Sequence, residues 1–371
     1  MVNRMEGAPT SSGRGAAKKV LKVTGIVLAI GLVAGGAFIG RFAYNNLETY
    51  DRFAAKVEKA GFVEKQAVID GVTLNYAEGS ANGQPPLLII PGQGSDWKSY
   101  GEVLPDLADE FHVYAIDPHG HGRSDRAPDR YKARLIADDL HRFLIEVIGE
   151  PTIVVGHSSG GQLAALLGAN APHQVSAVLL EDPPMFTTLL PRALNTWNYR
   201  DLATSTHNYL EENPDYPDNS ADLPASLWEH QLMWKYFGDG AKNLQAAGVK
   251  QRAEHPDRPI KVWWFPGADY QRSLTMYDPR FGDAFYTGAW NDGFDHEETL
   301  RSIEQPTTYM HAKVDYDGEI LRGAADDDDA ARIMALLPNA TFVQTDTGHG
   351  IHNDDPKLFV DELLKLKARV P

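Results

Sequence analysis

The chain has 371 residues, 43% of them hydrophobic and 23% charged, with 33 Gly and 23 Pro. That composition excludes a disordered, collagen-like or coiled-coil protein and leaves enough apolar surface for a large core. A formal net charge of −16 argues against nucleic acid as a partner, because phosphate binding needs a basic face. With no cysteine in the sequence, a disulfide scaffold, a thiol nucleophile and a Cys-based metal site are excluded too.

Residues 1–22 carry Arg4, Arg14, Lys18, Lys19 and Lys22 against a single Glu6, so the acidity belongs to the rest of the chain. The following stretch, 23–40, reads VTGIVLAIGLVAGGAFIG, with Thr24 its one polar side chain and no charge. As a helix it would cover roughly 27 Å, close to the hydrocarbon thickness of a bilayer. A soluble helix of that length would show a polar face. The pattern predicts a basic cytoplasmic leader at 1–22, a transmembrane anchor at 23–40 and a linker with a helix at 41–65. The positive-inside rule then puts the acidic body across the membrane. Gly35 and Ala37 have the small-residue spacing of a signal-peptidase site, so cleavage to a secreted form is the alternative.

From residue 66 the chain alternates strand and helix signals. Segments 66–70 and 72–77 flank Asp70-Gly71, a hairpin signature. Apolar runs at 87–90, 111–116, 152–155 and 175–180 read as buried strands, with helical periodicity at 131–148 and 162–168. Strands at 307–310 and 340–344 and helices at 330–337 and 357–367 close the chain. Such alternation predicts a mostly parallel sheet flanked by helices. The stretch 183–304 breaks the rhythm and holds six of the seven Trp: Trp197, Trp228, Trp234, Trp263, Trp264 and Trp290. It is too long for a loop and reads as a helical cap inserted into a core of 66–182 and 305–371. Its tryptophans are expected mostly to pack the cap itself and in part to line a pocket. The acidic run Asp326–Asp329 lacks the alternating spacing of a calcium loop and suits a helix start, where the dipole favours acids.

Gly156-His157-Ser158-Ser159-Gly160 follows a strand and opens a helix. This is G-x-S-x-G in the strand–turn–helix context that makes it a nucleophile elbow. A serine hydroxyl needs a base at neutral pH, and His349, in the turn Asp346-Thr347-Gly348-His349-Gly350, lies in the expected downstream position. His352 is a rival three residues on. His157 occupies the variable position of the motif, from which its side chain should point away. His119 and His121 belong to a different loop.

With these residues in view, the body from about residue 66 to the C-terminus resembles the α/β-hydrolase superfamily. Pro91-Gly92-Gln93-Gly94 resembles its oxyanion loop, with Pro91 where His is common. Asp117-Pro118-His119-Gly120-His121-Gly122-Arg123-Ser124 resembles its D-x-x-G-x-G-x-S turn, and Gly348-His349 through Phe359 its histidine turn and closing helix. The resemblance implies Ser158 as nucleophile, His349 as base, and the backbone N–H groups of Gln93 and Ser159 as oxyanion donors. It places the triad acid after the strand that follows the cap, as G-x-x-D. There Asp315 has the matching spacing, although Ala312 stands where Gly is usual. Asp317 and then Asp182, after the preceding strand, are the alternatives.

The expectation is an α/β-hydrolase fold with an N-terminal transmembrane helix, acting as a membrane-anchored serine hydrolase. It would cleave carboxylic esters of small apolar or aromatic substrates through an acyl-enzyme, with no metal and no cofactor. Amide, peptide or carbon–carbon hydrolysis, acyl transfer and perhydrolysis on the same scaffold stay open, as does a non-catalytic binding module.

Overall fold

The computed structural model describes residues 35–44, 49–81, 83–216, 232–254 and 277–370. The described residues 35–44 belong to one compact unit and those from 50 onward to another. In the first, residues 35–44 are helical, with Phe38, Ile39 and Tyr44 exposed. Most of the expected span 23–40 lies outside the described residues, among which no helix is long and apolar enough to cross a membrane.

The second unit is built on an eight-stranded sheet. Its strands are β1 (Val63–Ile69), β2 (Val72–Glu78), β3 (Pro86–Ile90), β4 (His112–Ile116), β5 (Thr152–His157), β6 (Val175–Glu181), β7 (Thr307–His311) and β10 (Ala340–Gln344). They lie in the order β1-β2-β4-β3-β5-β6-β7-β10. Only the β1–β2 and β2–β4 pairings are antiparallel. The two-residue connection Asp70-Gly71 joins β1 to β2 with φ of 48° and 83°, the left-handed pair that a tight hairpin demands. β3 is buried along its whole length, and so is β5 up to Gly156. This is why both read as continuous apolar runs rather than alternating ones. Strand order reverses between β3 and β5, so the connections leaving their C-terminal ends run in opposite directions and open the crevice where open α/β sheets bind ligands.

β5 passes straight into the helix Ser159–Asn170, and the turn tolerates no side chain at two positions. A Cβ on Gly156 would lie 2.1 Å from the Gly160 carbonyl oxygen, and one on Gly160 2.2 Å from that of Ile90. The sequence outside the sheet core is longest between β6 and β7, which pair directly with each other. That segment contributes the helices Thr204–Glu212, Ala241–Glu254, Pro279–Thr287 and His296–Arg301. Phe281, Phe285 and Trp290 form its packed aromatic core, and the Trp290 indole N–H donates to Gln162 Oε1 at 2.8 Å. Trp228, Trp263 and Trp264 lie outside the described residues. A small hairpin, β8 (Tyr316–Asp317) with β9 (Ile320–Leu321), follows β7 and was not legible as strand. The acidic run opens the helix Asp327–Leu336: Asp326 caps it by accepting the Asp329 N–H, and Arg192 pairs with both carboxylates.

Two buried histidines hold loops together as hydrogen-bond acceptors. His121 Nε2 accepts the Gly94 N–H at 2.9 Å, and His296 Nδ1 accepts the Phe186 N–H at 2.9 Å. Burial pushes each down to about 4, which keeps the accepting lone pair free. Protons refused by the folded chain are taken up by the unfolded one from about pH 6.5 downwards, so these groups cost stability as the pH falls from there to 4. Asp117, raised by burial to about 6, acts in the opposite sense. The urea midpoint should therefore fall over this window, and His121→Gln with His296→Gln, whose amide oxygens can accept the same N–H groups, should flatten the fall.

Candidate active site

Ser158 is the first residue beyond β5, held at φ 54° and ψ −124°. A non-glycine residue in that region is strained, and the close-packed elbow glycines keep it there. Its N–H donates to the Glu181 carbonyl at 3.0 Å, tying the elbow to β6. The side chain lines a cavity of about 430 Å³ shared with His349, Gln93 and Trp197.

His349 meets Asp182: Nδ1 lies 2.6 Å from Asp182 Oδ2. Since a carboxylate accepts only, Nδ1 carries the proton and Nε2 is the nitrogen able to take another. Asp182 is the first residue beyond β6, with a left-handed φ of 42° like that of Ser158. His157 of β5 and Glu181 of β6 are register partners, so Ser158 and Asp182 are the next residues along two hydrogen-bonded strands. Burial would raise Asp182, but hydrogen bonds from His311 Nδ1 (3.3 Å) and His349, with their charge, hold it well below the usual carboxylate range. The Ala312 N–H adds a third donor at 3.2 Å. His349 is shifted the other way: burial lowers it, and the Asp182 bond and charge raise it above the ordinary value.

Asp315, the first choice from spacing, is not at this site. It is exposed, 3.2 Å from the Arg322 guanidinium, and its carbonyl accepts the Arg322 N–H at 2.9 Å. Both contacts close the base of the β8–β9 hairpin. Asp317 lies within that hairpin. Of the three candidates, Asp182 alone reaches the histidine.

Gln93 follows β3 and lines the cavity, its side-chain amide donating to the Tyr277 hydroxyl at 2.6 Å. Ser159, buried, opens the elbow helix, whose N-terminal end favours negative charge. The loop holding Gln93 is anchored from the neighbouring turn by His121, which donates from Nδ1 to the His119 carbonyl at 2.8 Å while accepting from Gly94. Nothing in its sequence position assigned His121 that task. The turn itself is organised by Asp117, which accepts from the Trp97 N–H, the Arg123 N–H and the Asn75 amide at 2.8–3.0 Å.

His157 departs from expectation. Its ring does not point away but borders the cavity, and Nε2 donates to the His349 carbonyl at 3.0 Å. His352, the rival base, is buried against Glu181, with Nδ1 2.7 Å from Oε1, and does not meet Asp182. Trp197 is half-buried at the cavity wall, whereas Trp290 packs internally. Among the described residues no cluster of His, Asp and Glu could hold a metal ion.

Residues 85–356 match the family described as "alpha/beta hydrolase fold". The chain is 22% identical to epoxide hydrolase 1 of Caenorhabditis elegans over 309 residues, 82% of this chain and 70% of that protein. It is 36% identical over 129 residues to the dihydrolipoyllysine-residue acetyltransferase component of the acetoin cleaving system of Cupriavidus necator, covering 35% of this chain and only 34% of that protein. Among solved structures, a membrane phospholipase A described as a bacterial virulence factor superimposes with a TM-score of 0.59 at 20% identity, covering 94% of this chain and 98% of that one.

The geometry ranks the acids. Asp182→Asn should lower kcat on a chromogenic ester on the order of 10⁴-fold, as expected when the histidine loses its orienting carboxylate. Asp315→Asn should stay near wild type. A collapse in Asp315→Asn with a normal rate in Asp182→Asn would reverse the assignment.

Proposed function

The chain belongs to the α/β-hydrolase family, and from that premise we propose that it is a serine hydrolase acting on carboxylic esters. The observation that carries this reading is the 2.6 Å contact from His349 to Asp182, on the wall of the cavity that Ser158 also lines. Ser158 Oγ attacks the ester carbonyl while His349 Nε2 takes its proton. Asp182 keeps the imidazole in the right tautomer and stabilises the imidazolium. The N–H groups of Gln93 and Ser159 receive the oxyanion. Collapse breaks the ester C–O bond, and His349 returns the proton to the departing alkoxide. Water, deprotonated by His349, then attacks the acyl-enzyme, releasing the acid and restoring Ser158.

Relatives named as epoxide hydrolases raise a second chemistry, and the nucleophile argues against it. An epoxide opened by a serine oxygen leaves a dialkyl ether, which offers water no carbonyl to attack, so the enzyme would stop after one turnover. A carbonyl substrate avoids this. Trp197 and Leu202 in the cavity wall, set among Thr187, Thr188 and Thr196, suit a small ester with an apolar or aromatic part.

The same reading includes a membrane anchor. It rests on the uncharged run 23–40 behind five basic residues and on the exposure of Phe38 and Ile39 in the helical residues 35–44, and it puts the hydrolase body outside the cytoplasm.

Ser158→Ala should abolish ester hydrolysis and labelling by a fluorophosphonate probe, with activity reduced on the order of 10³-fold or more. Substantial turnover in the purified variant would sink the serine mechanism. For the anchor, the full-length chain should sediment with membranes and resist alkaline extraction. Recovery of a freely soluble form starting near Phe38 would show cleavage instead.

A further inference from the structure

A second acid–histidine pair lies directly behind the first, and the mechanism above does not use it. Glu181 is fully buried and accepts three hydrogen bonds: from His352 Nδ1 at 2.7 Å, from the His352 N–H at 2.8 Å and from the Tyr100 hydroxyl at 3.1 Å. A buried carboxylate is costly unless so satisfied. The His352 ring is also clamped face-on by Tyr100, with centroids 3.9 Å apart and planes 13° from parallel. His352 sits in the short helical turn Ile351–Asp354 immediately after His349, so fixing one fixes the path of the other. The edge of His157 packs on His352 at 5.2 Å, and its Nε2–H reaches the His349 carbonyl at 3.0 Å. The sheet register explains the doubling. His157 and Glu181 are partners on β5 and β6, one residue back from Ser158 and Asp182.

We propose that the buried pair Glu181–His352, with His157 at the cavity edge, forms a network that sets where the His349 ring stands relative to Ser158, making them positioning residues for the acyl transfer. Asp182 orients the His349 ring from its side chain; the network holds the same residue by its backbone. Glu181 and His352 do not line the cavity, so substrate contact does not account for them; His157 does border it, and for that residue the split between kcat and KM separates positioning from substrate contact. The inference rests on the serine-hydrolase reading.

The network also has an electrostatic signature. The charges of Asp182 and Glu181 act on His349, the His157 ring lies 4.5 Å from it, and Asp201, Arg322 and Asp354 share its cavity wall. Burial alone would raise Glu181, yet the charge and hydrogen bonds of His352, together with His157, hold it down at about 2. Its carboxylate is therefore ionised wherever the enzyme works, and it favours protonated His349. Removing that charge lowers the proton affinity of His349 and moves the acidic limb of the rate profile to lower pH.

The test uses the full-length chain with 4-nitrophenyl butyrate. His157→Leu should lower kcat on the order of 10–100-fold with KM changed by no more than about two-fold. His157→Gln, whose amide N–H can reach the same carbonyl, should recover most of the loss. Glu181→Gln should shift the acidic limb of kcat/KM downwards. An unchanged kcat in His157→Leu, equal losses in Leu and Gln variants, or an unmoved limb in folded Glu181→Gln would each overturn the proposal. If Glu181→Gln fails to fold, the two His157 variants decide it alone. Full turnover in Ser158→Ala would instead overturn the serine reading beneath it.

Discussion

Parallel pairing of β5 with β6 is the constraint from which the site follows. Neighbouring strands stand about 4.8 Å apart, and this pair is in register up to its last residues, His157 with Glu181. Whatever comes next on each strand must emerge side by side at the C-terminal edge. Ser158 and Asp182 do so, each leaving its strand through a left-handed backbone angle, and the backbone bond from Ser158 to the Glu181 carbonyl fixes their separation. His349, arriving from beyond β10, needs only to reach a carboxylate already in place.

Two buried carboxylates at this edge show how partner type, rather than burial, decides a charge. Asp117 and Asp182 are equally hidden from solvent. Asp117 is ringed by amide donors and a neighbouring Glu64 carboxylate, and burial prevails, leaving it near 6. Asp182 faces His311 and His349, whose positive forms reward its ionisation, and it moves the other way. The first is a structural brace for a turn and the second an electrostatic partner for His349. Their hydrogen-bond counts alone would not separate them.

The elbow could be read from the chain because its determinants are local. Gly156 and Gly160 are dictated by backbone approaches within a few residues and from the adjacent strand end, and an apolar run before the motif with a helical pattern after it declares the context. The carboxylate that meets His349 was not local. Choosing between Asp182 and Asp315 required knowing that a hairpin of only two residues per strand would pair Asp315 with Arg322 at its base. Ala312, standing where a glycine was anticipated, was the one sign that the later position had lost its geometry. His121 and His157 escaped for the same reason: their partners, Gly94 and the carbonyl of His349, lie 27 and 192 residues away along the chain. Periodicity reports which residues share a face, not which distant loop a side chain will reach.

The bond from Gln93 to Tyr277 joins the loop after β3 to the segment between β6 and β7. Buried contacts from Tyr131 to Asp278 and from Trp290 to Gln162 stitch the same segment to the core. Segments in this position are attractive to an engineer as exchangeable cassettes for altering substrate range. Here the cassette carries part of the cavity's own bracing, so a graft that brings a new pocket wall must also bring a hydroxyl at the position of Tyr277, or the loop holding Gln93 will be left to find its own conformation.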